Sequence, residues 1–454
     1  LSTVTELGES PFYGCVFLTE VNSSNENFKM SGNYLIDASK QEILQYVGEI
    51  PSALVIPEGY VSIGTGAFSD QSITSVEIPA SMRKIGKNAF KDCTELVTVT
   101  IPEGLETLGE SCFENCESLV SCSFPSTLRT LERSAFSFCS SLDTAMLPDG
   151  LESIGVAAFF QCEKLRKSRI PSSIKKWEYN TFFNCFILDE CEIGDGITEI
   201  PEDAFVFCYS LRHIDIPSSV KRIGNAAFSI CPLEEITLPE SLESIGKEAF
   251  SGCPELTEVV IPDNCREIED NAFMWCTKLK KFTCGKGLKK MGNRVLQVED
   301  ALEEVILNEG LEELGPYCIS WAPKMTTLTL PSTLTIFDDA AIFGIPLTSL
   351  IVKMPTPPEV PENIFMDNDN IGIFGTCTLT VPYGTVDAYK NAPIWSKFYK
   401  IEADMSGTDE IGIDDSSILD IYTLDGLKVN ELVRGKVNIV RMTDGTVKKV
   451  NVPK

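Results

Sequence analysis

The sequence is poor in the residues and motifs on which most enzymes depend. It contains one histidine, His213, among 454 residues, and histidine is the side chain that most often carries acid–base chemistry near neutral pH. It has no glycine-rich phosphate loop, no HExxH motif and no GxSxG motif. A pair of carboxylates among the 66 acidic residues is the one catalytic arrangement that counting leaves open. We therefore predict that the protein is not an enzyme, and we expect no cofactor and no metal.

Basic residues and long apolar runs are also scarce. With 38 basic against 66 acidic residues the net charge is −28, which disfavours nucleic acids and anionic lipid surfaces as partners. No run of eighteen apolar residues occurs, so we expect no membrane insertion by this chain. The first residue is Leu1 rather than methionine. We expect that an export signal has been removed from a secreted or cell-surface protein.

A repeat of 22 or 23 residues fills the middle of the chain. Its pattern is A-F-x-x-C-x-x-L-x-x-[VI]-x-[IL]-P-x-x-[LV]-x-x-[IL]-G, and it recurs about thirteen times. The segment L-x-x-V-x-I alternates like a short strand, and the following proline ends it. One repeat cannot bury its phenylalanine alone, so consecutive repeats must stack as coils. The phenylalanine position is held by Phe68, Phe90, Phe113, Phe136, Phe159, Phe182, Phe205, Phe228, Phe250 and Phe273, and then by Leu296, Ile319 and Ile342.

The motifs IGxxAFxxC and IP at this period resemble the BspA-like, or Treponema-type, leucine-rich repeats over residues 51–350. The resemblance implies a leucine-rich repeat solenoid, a curved right-handed array of about 13 coils of 22–23 residues with a parallel β-sheet face. Proteins of this family are similar to adhesins of host-associated bacteria, notably Bacteroidetes. The implied partners are host extracellular or mucosal proteins or glycans, or other bacterial surface proteins.

Nine of the seventeen cysteines follow the phenylalanine position by three residues, and most of the others occupy apolar positions. Disulfides or a ladder of metal sites would be functional interpretations. However, the count is odd, equivalent side chains of stacked coils point in parallel, and no CxxC pair exists. We predict buried thiols that pack the turns as small apolar groups with weak S–H donors.

The array is expected to be capped at both ends. Residues 1–50 lack the repeat, and residues 32–47 predict a β-hairpin that covers the first coil of the array at 51–350. Residues 351–403 predict a capping module with a short helix that carries Tyr389 and Trp395, and an aromatic sugar-binding platform is the alternative there. Residues 367–370 begin like a calcium loop but lack its later glycine and glutamate, so they predict a turn.

The last fifty residues differ from the array in composition. The acidic stretch 404–417 predicts a linker. Residues 418–454 predict a small β tail with turns at 425–426 and 444–445. The tail resembles the C-terminal sorting module of Bacteroidetes secreted proteins, with Asn438 where that module usually has tyrosine. A small β module docked on the cap is the alternative interpretation.

Outward positions of the predicted strands change character along the array. In the middle, basic residues 166–169 lie beside acidic residues 189–192, so neighbouring strands are expected to neutralise each other. Nearer the N-terminus the same positions carry threonine, serine and valine, which have no such charged partners. We predict ligand binding there by Thr74, Thr98, Thr100, Ser121, Ser123, Thr144 and Met146.

Two functions of different kinds are compatible with these features. The first is a cell-surface or secreted protein that mediates adhesion or protein binding without catalysis. The alternative is a structural spacer or assembly component of the cell surface, which would need no preferred ligand.

Overall fold

The computed structural model describes residues 3–8, 11–12, 14–15, 18–366, 372–404, 418–424, 426–429, 437–443 and 445–451. The turn predicted at 367–370, the first residue of each predicted tail turn, and the linker predicted after residue 404 lie outside them. The described residues form a parallel β-solenoid of about 16 turns with almost no helix, so the predicted solenoid fold is confirmed. Helix α1 spans Val386–Lys390, and two 3-10 turns span Ile373–Gly375 and Trp395–Lys397.

One wall of the solenoid, called the strand face here, is built from the L-x-x-V-x-I segments. Their central apolar side chain points inward, so each segment buries alternate residues. Between the strands at Glu190–Ile193 and Glu258–Val260, the described residues of this wall, 212–215 and 234–237, form no strand. Numbered in chain order, its strands are β4 (Ala53–Val55), β6 (Ser75–Glu77), β8 (Thr98–Thr100), β10 (Ser121–Cys122), β12 (Thr144–Met146), β14 (Lys167–Ile170), β16 (Glu190–Ile193), β20 (Glu258–Val260), β22 (Lys281–Thr283), β25 (Glu304–Ile306), β28 (Thr327–Leu330), β31 (Ser349–Val352), β32 (Thr378–Pro382) and β33 (Lys400–Asp404).

A second wall consists of two-residue strands that end just before the position at which the repeat usually has glycine. Consecutive coils approach closely there, because a Cβ atom added at Gly109 would lie 2.7 Å from the carbonyl oxygen of Ile85. The strands are β5 (Ser62–Ile63), β7 (Lys84–Ile85), β9 (Thr107–Leu108), β11 (Thr130–Leu131), β13 (Ser153–Ile154), β15 (Lys176–Trp177), β17 (Glu199–Ile200), β18 (Arg222–Ile223), β19 (Ser244–Ile245), β21 (Glu267–Ile268), β23 (Lys290–Met291), β26 (Glu313–Leu314) and β29 (Ile336–Phe337).

A third side, called the turn face here, holds the turns from two residues before to two residues after each phenylalanine position. In its C-terminal part three short strands pair in parallel, β24 (Leu296–Gln297), β27 (Ile319–Ser320) and β30 (Ile342–Phe343). Elsewhere the backbone bonds directly from coil to coil. The N–H groups of Ser134, Phe136 and Phe138 donate to the carbonyls 22 residues further on, at 2.7–2.9 Å.

These inter-coil bonds require an unusual backbone. The residues two before and two after the phenylalanine position have positive φ in coil after coil, for example Ser134 (53°) and Phe138 (61°). Alternating left-handed and ordinary residues turn every second N–H toward the next coil, which is what the bonds above need. Asparagine and glycine tolerate this conformation, whereas a β-branched residue such as Ile230, at 59°, is strained by it.

The core is a continuous column of stacked phenylalanine rings. From Phe68 to Phe273, successive rings lie 5.1–5.7 Å apart with interplanar angles of 2–22°. Each ring is completely buried. The column explains why the phenylalanine position repeats at a fixed period, since every ring needs the coils on both sides to exclude water.

The cysteine side chains form hydrogen bonds with the backbone of the same phenylalanine column. All seventeen lie among the described residues and are free, and all except Cys15 are buried. In the nine coils that have a cysteine three residues after the phenylalanine position, the thiol donates to the carbonyl oxygen of the phenylalanine in the preceding coil, as Cys162 does to Phe136 at 3.2 Å. Burial raises the pKa of Cys93 to about 12 and that of Cys162 well above its usual value. This geometry agrees with the prediction of buried thiols that act as weak donors.

Aromatic side chains also cover both ends of the column. At the N-terminus β1 (Phe28–Ser31), β2 (Tyr34–Asp37) and β3 (Glu42–Tyr46) pair antiparallel, and β3 joins β5 in parallel. Tyr34 and Tyr46 lie 6.4 and 6.3 Å from the ring of Phe68. At the other end Phe365 stands 23 residues after Ile342, and its ring meets Trp395 at 5.6 Å.

The number of coils exceeds the predicted thirteen. Strands β31, β32 and β33 continue the strand face in parallel beyond β28. The phenylalanine position also returns at Phe365, after a proline-rich segment that interrupts the sequence pattern. The count was too low because those residues keep the strand but lose most of the repeat motif.

The tail strands are β34 (Ile418–Thr423), β35 (Lys428–Val429), β36 (Val437–Met442) and β37 (Val447–Asn451). They form an antiparallel sheet in the order β35-β34-β36-β37. Asp420 is buried at the centre of this sheet and pairs with Lys428 and Arg441. The division into domains and the sorting role of the tail stay predictions.

Candidate functional site

The parallel register of the strand face brings the predicted ligand-binding residues into one patch. Thr98 and Ser121 are Cα partners, and Ser121 is the partner of Thr144, so these three form a row across β8, β10 and β12. Thr100 and Met146 belong to the adjacent outward row, which ends beside Arg169. Ser123 follows β10 directly and is exposed. The patch is therefore continuous over three coils.

The hydroxyl groups of this patch are largely unengaged by the protein. Four of its residues are exposed: Thr98, Thr100, Ser121 and Ser123. No other described residue forms a hydrogen bond with the hydroxyl group of any of these four. Thr74 differs, because its hydroxyl donates to the carbonyl of Ser52 at 3.0 Å. We define the hydroxyl patch as Thr98, Thr100, Ser121, Ser123, Thr144 and Met146, with Thr74 at its edge. Whether these residues bind a ligand stays a prediction.

The middle of the strand face is occupied by ion pairs between neighbouring strands. Lys167 meets Glu190 at 2.5 Å, and Arg166 meets Asp143 at 3.1 Å. The bond to Glu190 raises the pKa of Lys167. Further along, Arg212 meets Glu234 at 2.9 Å. These pairs agree with the expected neutralisation between coils, and the hydroxyl patch lies beside them without ionic partners of its own among the described residues.

The structure offers little for catalysis in its described part. His213 is exposed, and its two ring nitrogens lie 3.7 Å from Glu234 and Glu235 at the interruption of the strand face. Among the described residues no group of three or more histidine, cysteine, aspartate or glutamate side chains is suited to holding a metal ion. Nor does any helix of the described part have the length and apolar character to cross a membrane.

The alternative interpretation of Tyr389 and Trp395 as a sugar-binding platform is wrong. Both side chains are completely buried. The Tyr389 hydroxyl donates to the carbonyl of Met354 at 2.8 Å, and the Trp395 indole donates to that of Pro358 at 2.9 Å. They therefore hold the proline-rich segment against the last coils, and no face of either ring is available to a ligand.

Two features of the turn face were not found from the sequence. Four aromatic rings form a partly exposed strip, in which Phe138, Phe160, Phe183 and Phe207 follow one another at 5.5, 5.2 and 5.6 Å. Further along, a pocket is lined by Arg294, Gln297, Tyr317, Trp321 and Phe343. These positions are not fixed by the repeat motif, which specifies no aromatic or basic residue there.

A buried acid was also missed. Glu299 stands 23 residues after Cys276, at the cysteine position of its coil, and is completely buried. One of its oxygens accepts a hydrogen bond from the Cys276 N–H at 3.1 Å. Among the described residues the other oxygen has no partner. Desolvation raises the pKa of the Glu299 carboxyl well above its usual value.

Comparison with known proteins finds solved leucine-rich repeat structures that are similar to this one. The chain is similar to a leucine-rich repeat protein from Bacteroides ovatus, at 22% identity over 74% of this chain and 97% of that one, with a TM-score of 0.58. A leucine rich cell surface protein from Faecalibacterium prausnitzii is 19% identical over 84% of this chain and 95% of that one, with a TM-score of 0.39.

The leucine-rich repeat protein of T. pallidum is 30% identical over 42% of this chain and 91% of that one, with a TM-score of 0.35. No curated protein matches the chain. The likeness to the Bacteroides ovatus structure shows the fold alone. A family model described as a BspA type leucine rich repeat region matches residues 61–189, 141–257 and 243–372. These segments span more than half of the sequence, and the chain therefore belongs to the BspA-type leucine-rich repeat family.

Proposed function

We propose that this protein works at the cell surface or outside the cell as a binding protein without catalysis. Its ligand is a host extracellular or mucosal protein or glycan, or a surface protein of another bacterium. The location is inferred from the family. The observation that supports a ligand at the hydroxyl patch is its unengaged hydroxyl groups, which lie next to a region whose charges are already paired.

The hydroxyl patch has the physical properties of a preorganised binding surface. Its side chains repeat at the inter-strand spacing of about 4.8 Å, and the parallel ladder fixes them. Little conformational entropy is lost when such a surface binds, because short side chains on paired strands are already ordered. Val97 and Val120 are 40% and 46% exposed in the neighbouring row and add apolar area. The combination suits a ligand that presents both hydrogen-bonding and apolar groups.

A binding experiment with two matched variants tests the proposal. The full chain is immobilised, and matrix proteins, mucins and glycans are passed over it at low and high salt. The test variant carries Thr98→Lys, Thr100→Lys and Ser121→Lys. The control variant carries lysine at three strand-face threonines near the other end, Thr326, Thr327 and Thr329. Both variants add the same charge to exposed or partly exposed positions, so unspecific charge effects are equal.

We expect a saturable ligand whose affinity falls at least about tenfold in the test variant and stays unchanged in the control. The reason is that the bound ligand would cover the new lysine ammonium groups of the patch and leave them poorly solvated. Equal loss in both variants would mean that the added charge, rather than the patch, controls binding. A ligand that binds both variants normally would place its site elsewhere on the chain. Absence of any ligand would instead favour the structural spacer.

A further inference from the structure

The pocket on the turn face is an open depression built by three consecutive coils, with a volume of about 390 Å³. That volume lies within the usual range for small-molecule sites, about 300–1,000 Å³. Three rings form its walls: Tyr317 lies 6.2 Å from Trp321 and 5.4 Å from Phe343, and Trp321 lies 5.8 Å from Phe343. All three rings are partly exposed, so the walls are open to a ligand.

The local backbone fixes the position of these rings. Tyr317 and Trp321 occupy the left-handed positions of their coil, at φ values of 53° and 51°. Beside Trp321 the next coil has Gly344, where an added Cβ atom would lie 3.0 Å from the indole ring. A side chain at this position would therefore press on Trp321. Glycine here leaves room for the indole and keeps the pocket open.

Two polar side chains of the pocket have no hydrogen-bond or ion-pair partner in the part of the chain that the structure describes. The Gln297 side chain is only 7% exposed, and among the described residues its amide makes no hydrogen bond. The Arg294 guanidinium lies 5.6 Å from the centre of the Tyr317 ring, and it takes part in no ion pair within the described part of the chain. The Gln297 amide therefore keeps its hydrogen-bonding capacity for a ligand. The Arg294 guanidinium can take an anionic partner without giving up an ion pair.

We propose that this pocket binds a single sugar unit that carries a carboxylate, such as a uronic or sialic acid at the end of a glycan. The apolar C–H face of a pyranose ring packs on the exposed aromatic rings. The carboxylate pairs with the Arg294 guanidinium, whose fork matches its geometry. A ring hydroxyl both donates to and accepts from the Gln297 amide. An acidic peptide side chain would satisfy the arginine but would leave most of the aromatic area uncovered.

The inference is independent of the proposed hydroxyl patch, since the two sites lie on different sides of the solenoid. It is tested with methyl β-glucuronide and methyl β-glucoside, which differ only by a carboxylate in place of a hydroxymethyl group. Both are titrated into the full chain by calorimetry and by saturation-transfer NMR. The variants are Trp321→Ala and Arg294→Gln. The matched control is Trp275→Ala, because Trp275 is 52% exposed at the same position of the repeat two coils earlier.

We expect saturable binding of the glucuronide, with affinity for the glucoside about tenfold or more lower because a charge-assisted bond is missing. Trp321→Ala abolishes binding, Arg294→Gln removes the preference for the glucuronide, and Trp275→Ala changes neither. Equal affinity for both glycosides would overturn the assignment of an acidic sugar. So would the absence of saturable binding, binding that survives Trp321→Ala, or tighter binding of N-acetylglutamate, which would indicate an acidic peptide side chain.

Discussion

The phenylalanine column makes a quantitative prediction at its centre. Phe159 is completely buried and stacks on Phe136 at 5.6 Å and on Phe182 at 5.7 Å. Phe159→Ala removes the ring and leaves a cavity that rigid neighbouring coils cannot fill, at a cost of about 3–5 kcal/mol. Phe159→Leu keeps most of the apolar volume but loses both stacking contacts, so we expect a cost of about 1–2 kcal/mol. Leu296 shows that the array accommodates leucine at this position.

Urea unfolding followed by circular dichroism gives the free energies, and the fluorescence of Trp177 follows the adjacent coils, since its ring lies 6.2 Å from Phe205. Phe138→Ala is the control, because Phe138 is 40% exposed on the turn face and should cost at most about 1 kcal/mol. The reasoning fails if Phe159→Ala costs no more than the control. It also fails if Phe159→Leu is as destabilising as Phe159→Ala, since burial would then not be the main contribution.

Three further measurements address other parts of the fold. Ile230→Asn should stabilise the protein by about 1 kcal/mol in urea unfolding, because isoleucine is strained at a φ of 59° and asparagine tolerates that conformation; Ile230→Ala, which keeps a Cβ atom there but has no side chain that bonds locally, should not stabilise it. Glu299 has a raised pKa in the folded state, so its contribution to stability is largest below its unfolded pKa and is lost as pH rises toward its folded pKa. The difference in melting temperature between Glu299→Gln and the wild type should therefore shift in favour of the variant between pH 5 and pH 8, and a constant difference would contradict this. Thiol titration of the native protein should label Cys15 rapidly and the sixteen buried cysteines only after denaturation; rapid labelling of several thiols would contradict the buried hydrogen bonds.

The repeat made the solenoid predictable because its strongest position is also its core. A ring at Phe90 and another at Phe113 stack at 5.3 Å, so the sequence period and the coil period are the same quantity. The prediction was less complete where the residues around the phenylalanine position differ from the repeat motif. Phe365 occupies the same place, but the prolines before it replace the usual residues of the second wall, and the last three coils were consequently missed.

Features that arise between coils were beyond the reach of the sequence pattern. Nothing in the chemistry of Ile230 or Trp275 favours a positive φ, and both adopt it because their N–H groups must bond to the next coil. The turn-face pocket has the same origin. Arg294 and Tyr317 hold the same position of adjacent repeats and Phe343 holds a different one in the next repeat, so only the stacking of three coils brings them together.

The hydrogen bonds of each phenylalanine have a consequence for how such a protein changes length during evolution. The backbone and thiol bonds of one coil reach only the coils next to it, as those of Phe136 reach residues 158 and 162. Recombination between codons that encode the same position of two neighbouring repeats would therefore add or delete one whole coil. The same contacts would form again at the junction. Each event would change the distance between the hydroxyl patch and the turn-face pocket by about 4.8 Å. The gene could in this way adjust the spacing between the two proposed binding sites in fixed steps, while the composition of each site stays the same.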